Sequence, residues 1–168
     1  MEQFKVLTDR EHVLARTNVY LGSTLSEQQS GIINYEYQTK VVVPALVKMI
    51  EEIYQNSVDE FIRTNGEYAT KIDISFEPSM IGTKITIKDN GRGIPQDVIN
   101  DKPRPVLAWT ELRAGSNFDD SKRVGAGTNG MGAALTNIFS TSFVGITCDG
   151  QNGMTVNCST DMENVSFK

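Results

Sequence analysis

The chain has 168 residues, 39% hydrophobic and 22% charged, with a net charge of −5, a length that supports one domain with a workable core. The acidic balance excludes a segment that grips DNA phosphates by itself, because such contacts need clustered Lys and Arg. No run of about 18 apolar residues offers a membrane span, and the start Met-Glu-Gln-Phe-Lys has no signal-peptide core.

In chain order, residues 1–39 read as an arm followed by a loop, with a polar, mobile stretch at 26–30. Residues 40–168 form the main domain. The single histidine, His12, leaves no room for a His-based triad or a multi-histidine metal centre. From Pro44 to Arg63 the pattern predicts a helix, with Pro44 tolerable in its first turn. At about 100° per residue, Leu46, Ile50, Ile53, Ser57 and Phe61 gather on one side. Glu52, Asn56, Asp59 and Arg63 form a narrow polar stripe on roughly the opposite side. A solvated helix face is the plain explanation of such a stripe. Composition argues against it, since Asn56, Ser57 and Asp59 are poor residues for a helix interior. Glu52 and Asn56, four residues apart, place a carboxylate beside an amide oxygen. A hard cation such as Mg2+ takes oxygen ligands and keeps several waters, and a neighbouring carboxylate can deprotonate an attacking water.

Lys71-Ile-Asp-Ile-Ser-Phe76 and Lys84 to Asp89 alternate as strands and predict a hairpin around Pro78 to Gly82. On the second strand Ile85, Ile87 and Asp89 share one face, which predicts an inward-pointing carboxylate. Such a group needs a partner, because an unpaired buried charge is costly. Gly91 and Gly93 follow at once and permit turns and close ligand approach. Two explanations stand side by side here, a ligand site and an ordinary Asp-Asn-Gly turn at a wet sheet edge.

Residues 98–112 mix turn and helix, interrupted by Pro103 and Pro105. Val124-Gly-Ala-Gly-Thr-Asn-Gly-Met-Gly132 is a glycine-rich run leading into a helix-compatible segment, and a helix start offers N–H groups to an anion. No Gly-Lys-Ser/Thr follows, so it is not a Walker A loop; nor does it match a dinucleotide fingerprint. Phe143 to Cys148 and Met154 to Cys158 predict a second hairpin across Asp149 to Gly153. Cys148 and Cys158 lack zinc spacing and read as reduced thiols, core or half-buried, in a cytoplasmic protein. Strands in one layer and helices in the other predict an α+β two-layer sandwich.

Taken together and in order, Glu52…Asn56…Asp59, Asp89-Asn-Gly-Arg-Gly-Ile-Pro95 and Gly127-Thr-Asn-Gly-Met-Gly132 resemble the GHKL ATPases. Glu11-His-Val-Leu-Ala-Arg-Thr-Asn-Val-Tyr-Leu-Gly-Ser23, Ala114-Gly-Ser-Asn-Phe-Asp-Asp120 and Gly130 to Ser140 are similar to type II topoisomerases. They lie nearer the eukaryotic and phage forms than gyrase, the large subunits of T4-like phage enzymes above all. The resemblance covers almost the whole chain. It implies the Bergerat fold, a mixed β-sheet covered on one face by helices, binding ATP and Mg2+. It makes Glu52 the general base and Asn56 the Mg2+ ligand, with Asp59 behind them. Asp89 becomes the acceptor for the adenine amino group, and Gly93 and Ile94 the floor of that pocket. Ser116 and Asn117 fall near the ribose and phosphates. Gly127, Asn129, Gly130, Met131 and Gly132 form the lid over the triphosphate. Arg92 and Glu60 pair at the pocket mouth, or form a surface salt bridge of little worth.

The resemblance further implies homodimerisation through the N-terminal arm on ATP binding. Other topoisomerase subunits or domains would be partners and would handle the DNA. Other GHKL classes, chaperones, mismatch-repair proteins and kinases, are the alternative, as is a nucleotide-dependent dimerisation module without turnover. Departures from the family pattern are Thr17 in place of a proline, Ser116 and Asn117 where gyrases use a lysine, and Ala134 where many eukaryotic enzymes carry one. The threonine that assists adenine is expected beyond Lys168, with Thr155 and Thr160 the candidates within the chain. The family's transducer domain, which supplies a lysine to the γ-phosphate, and its DNA-cleavage domain are absent from this sequence. The 168 residues alone are therefore expected to bind ATP–Mg2+ with little turnover.

Overall fold

A computed structural model describes residues 5–112, 114 and 130–168. The chain divides into two compact units, Met1–Glu51 and Glu52–Lys168. In the first, helix α1 (Asp9–Ala15) opens on a capping box: Thr8 Oγ1 accepts from the Glu11 amide at 3.2 Å, and Glu11 Oε2 accepts from the Thr8 amide at 2.8 Å. A short α2 (Thr17–Tyr20) follows. Strands β1 (Glu27–Ile33) and β2 (Glu36–Val42) form an antiparallel hairpin. Its turn residues Asn34 and Tyr35 have φ of 51° and 66°, the left-handed geometry of a two-residue turn matched to strand twist. The stretch at 26–30, expected to be a mobile loop, is therefore mostly strand: Ser30 pairs with Thr39, and their hydroxyls lie 2.7 Å apart. Its polar composition reflects exposure of the hairpin, not lack of order.

Helix α3 (Pro44–Arg63) takes the whole predicted span, beginning in the first unit and ending in the second. Its faces depart from the amphipathic expectation. Leu46 and Phe61 are 47% and 43% exposed, whereas Ser57 and Asp59 are buried. The buried side of α3 thus carries polar groups, because that side meets the Asp89 loop and not only an apolar core.

In the second unit, β3 (Ile72–Ser79) and β4 (Gly82–Asp89) make the predicted hairpin, with Ile74 opposite Ile87 and Ile72 opposite Asp89. A two-residue pair of strands, β5 (Val98–Ile99) and β6 (Lys102–Pro103), leads into α4 (Arg104–Thr110), which carries Pro105 in its first turn. Helix α5 (Gly132–Ile138) follows, buried from Ala133 to Ile138. Strands β7 (Ser142–Cys148), β8 (Gly153–Ser159) and β9 (Asn164–Phe167) close the chain as an antiparallel meander.

The core lies between this sheet and the helices. Val106, Val156 and Cys158 are its buried centre, with Trp109, Phe143, Met154 and Met162 around them. Alternation along β7 sends Phe143, Gly145 and Thr147 to one face and leaves Val144 and Ile146 exposed. Gly145 is required there, since a Cβ would overlap the Trp109 indole. Asn137 is fully buried and donates to the Trp109 carbonyl at 2.8 Å and to Cys158 Sγ at 3.2 Å. Of the two thiols, Cys158 is buried and Cys148 exposed.

The architecture is α+β, as expected. The ladders among the described residues are antiparallel. The segment after β4 meets β7 through a side chain, Thr147 Oγ1 accepting from the Ile94 amide at 2.8 Å.

Candidate functional site

The carboxylate of Asp89 is the centre of the polar cluster between α3 and the loop after β4. Ser57 Oγ donates to Asp89 Oδ2 at 2.6 Å, and the Gly91 amide donates to Oδ1 at 2.8 Å. The first bond ties the loop to the helix. The second is an Asx-type closure two residues on. The Asp-Asn-Gly segment is therefore a turn, and two donors hold its carboxylate. One expectation fails: Asp89 is exposed, not buried beneath the isoleucines. As the last residue of β4 it stands at the strand's end, bonded there to Ser57 and to the turn. Each oxygen of a carboxylate accepts more than one hydrogen bond, so the two donors in place orient the group and leave acceptor capacity facing outward.

The glycines do specific work around it. A Cβ on Gly91 would sit 2.8 Å from Asp89 Oδ1. Gly93 has φ of +75°, and a Cβ there would overlap the Cys148 carbonyl. Asn90 fixes the same loop from the other side. Its Oδ1 accepts from the Lys71 amide at 2.9 Å, and its Nδ2 donates to Thr70 Oγ1 at 2.9 Å. Half-buried Ile94 follows, tied by its amide to Thr147, itself 8% exposed. The threonine hydroxyl bonded to this loop is that of Thr147. The signal was present in the period-two sequence Phe143, Gly145, Thr147, which carries the core-facing side of β7 to the loop.

On α3, Glu52 is half-buried, Asn56 exposed and Asp59 buried at 6% exposure. Asn56 Nδ2 donates to the Glu52 carbonyl at 3.0 Å. Its Oδ1, not its amino group, is therefore the atom offered outward. Glu60, one turn below Asn56, is shared by two arginines. Arg92 Nε reaches Oε1 at 2.6 Å, and Arg63 Nη2 reaches Oε2 at 2.7 Å. The hydrogen bond from Arg92, reinforced by Arg63, holds the Glu60 carboxyl below its ordinary range, and Glu60 in turn raises Arg92. Arg92 also lies over the Tyr68 ring, 5.5 Å from its centroid. The expected Arg92–Glu60 pair is present and is more than a lone surface bridge, since the Glu60 side chain is only 14% exposed.

Of the expected lid, Gly130 has φ of 60°, and Met131 caps α5. Gly132, the first residue of α5, packs directly on the Glu52 side chain. Ser116, Asn117, Gly127 and Asn129 lie outside the described residues. The structure thus brings together Glu52 with Gly132, Asp89 with Ser57 and Gly91, and Gly93–Ile94 with Thr147–Cys148. Among the described residues no group of three or more His, Cys, Asp or Glu is placed to hold a metal ion.

Comparison with known proteins fits this arrangement. The profile of the family described as histidine kinase-, DNA gyrase B- and HSP90-like ATPase matches residues 42–164, and the chain belongs to that family. It is 45% identical to the DNA topoisomerase large subunit of Enterobacteria phage T4 over 99% of its own length and 33% of that protein. With DNA topoisomerase 2 of Saccharomyces cerevisiae it shares 32% identity, over 88% of this chain and 11% of the yeast protein. The crystal structure of the ATPase region of Saccharomyces cerevisiae topoisomerase II superposes with a TM-score of 0.84 at 26% identity, covering 98% of this chain and 46% of that one. No described helix is long and apolar enough to cross a membrane.

Proposed function

We propose that this chain is the ATP-binding and hydrolysing domain of a type II DNA topoisomerase, in which nucleotide-driven closure of two copies gates the passage of DNA. The observation that carries it is the Asp89 carboxylate, fixed by Ser57 and Gly91. Likeness to the phage and yeast topoisomerases supports it. The chain spans a third or less of the length of these relatives. DNA cleavage, further domains and the remaining partners therefore belong to other parts of the complete enzyme, and a host-cytoplasmic setting follows from the phage likeness.

Within the site each residue has a task. Asp89 accepts a hydrogen bond from the exocyclic amino group of adenine, and the choice of adenine over guanine follows, because a 6-oxo group would face the carboxylate lone pairs. Gly93 and Ile94 floor the base, with the Thr147 hydroxyl beside them. Arg92 flanks the mouth, held by Glu60. The donor set suits Mg2+ held mainly by phosphates and water, with Asn56 Oδ1 as the single protein oxygen. The ion, when bound, neutralises charge on the transferred phosphate. Glu52 orients a water for in-line attack and takes its proton. Asp59 lies behind Asn56 on the buried side of α3. Gly130, Met131 and Gly132, with Ser116, Asn117, Gly127 and Asn129, close over the phosphates.

The test is calorimetric titration of the 168-residue chain with ATP–Mg2+ and GTP–Mg2+. ATP binds the native chain in preference to GTP, and Asp89→Asn weakens ATP by about 1–3 kcal/mol. Equal binding of ATP by native and variant chains removes Asp89 as the adenine reader.

A further inference from the structure

We infer that Gly132 is a positioning residue for Glu52: its missing side chain is what lets the Glu52 carboxylate rest against the first turn of α5. The inference builds on the proposed role of Glu52 as base. Gly130, two residues earlier, has φ of 60° and is a glycine for backbone reasons. Gly132 is not among the residues with positive φ, so any residue could adopt its backbone. Backbone conformation does not by itself demand glycine here, and the three heavy atoms nearest to a Cβ at this position all belong to the Glu52 side chain. A Cβ on residue 132 would overlap Glu52 Oε2 and stand 2.8 Å from Glu52 Cδ and 2.9 Å from Glu52 Cβ.

These distances decide what gives way. Had only Oε2 been close, rotation of the carboxylate would make room. The close Cβ of Glu52 is anchored to α3 and has no such freedom, so the whole Glu52 side chain must be pushed aside or the helices must part. Parting is resisted, because α5 is buried from Ala133 to Ile138. Either response carries the Glu52 carboxylate away from its seat against Gly132. A shift of about 1 Å in a catalytic group costs on the order of a hundredfold in rate.

In the complete enzyme, Gly132→Ala should lower kcat at least tenfold, a larger factor than any loss of ATP affinity, the split of a group that acts in the reacting complex. A Gly132→Ala enzyme that loses ATP affinity and kcat in equal measure overturns the inference in favour of a phosphate contact alone. If the single variant folds poorly, thermal unfolding decides: Gly132→Ala should lower Tm less on a Glu52→Ala background than in the native chain, and equal losses overturn the steric coupling. Hydrolysis that survives Glu52→Gln would sink the base assignment alone, because the Tm cycle reads the packing whatever Glu52 does chemically.

Discussion

Ser57 and Asp89, 32 positions apart in the chain, meet in a 2.6 Å hydrogen bond that joins α3 to the loop after β4. Ser57 is buried and Asp89 exposed. The serine thus anchors from within a carboxylate whose outer side stays open to a ligand.

Ser57→Ala removes that anchor without opening a large cavity. Hydrogen bonds to charged groups contribute about 1.5–3 kcal/mol, part of which appears as orientation of Asp89. ATP affinity should fall about fivefold to tenfold, with the far-UV dichroism spectrum unchanged. Calorimetry that gives the native Kd would show that Asp89 is oriented by Gly91 alone.

Glu52→Gln should leave ATP binding by the complete enzyme within about threefold of native and abolish steady-state hydrolysis, because glutamine keeps the shape but cannot take a proton. Native turnover in the variant, measured by phosphate release, would move the base to another residue.

Glu60 gives a pH signature. Its folded carboxyl lies below the ordinary value of 4.5, chiefly through the Arg92 hydrogen bond. A depressed carboxyl stabilises the fold above its unfolded pKa, and that contribution is lost as pH falls through the lower folded value. The denaturation midpoint of Glu60→Gln should therefore lie below native at pH 7, and the gap should narrow as pH falls below the ordinary 4.5. A gap that stays constant down to pH 3 would mean that Glu60 acts by packing.

Gly145→Ala drives a methyl into the indole of Trp109, the only tryptophan in the chain. Overpacking of this kind costs about 1–3 kcal/mol. The fluorescence of Trp109 should shift, and chemical denaturation should report the loss. An unchanged midpoint would show that the sheet yields at β7.

Elements whose periodicity is simple were legible in the sequence. The span of α3, both hairpins of the second unit and the Asp89–Gly93 loop follow from spacing and turn chemistry. What escaped depended on partners distant in sequence. Asp89 was expected inward because it shares the isoleucine face, but it ends its strand, and a strand end is covered only by what folds onto it. Asp59 and Ser57 were assigned to opposite sides of α3, yet both are buried, since a helix wedged against a polar loop has no single apolar face. Thr147 was passed over because alternation along β7 marks it only as core-facing; its contact with Ile94 spans 53 positions. The β1 strand was hidden by its polar residues, which an exposed hairpin tolerates.

At the floor of the site, two neighbouring residues of one segment are bound to two neighbouring residues of another: Gly93 presses on the Cys148 carbonyl, and Ile94 is hydrogen-bonded to Thr147. Loop and strand consequently travel as one body. On the proposed assignment, a purine arriving there would meet a seat already shaped by folding, and little conformational freedom would be surrendered at that end on capture.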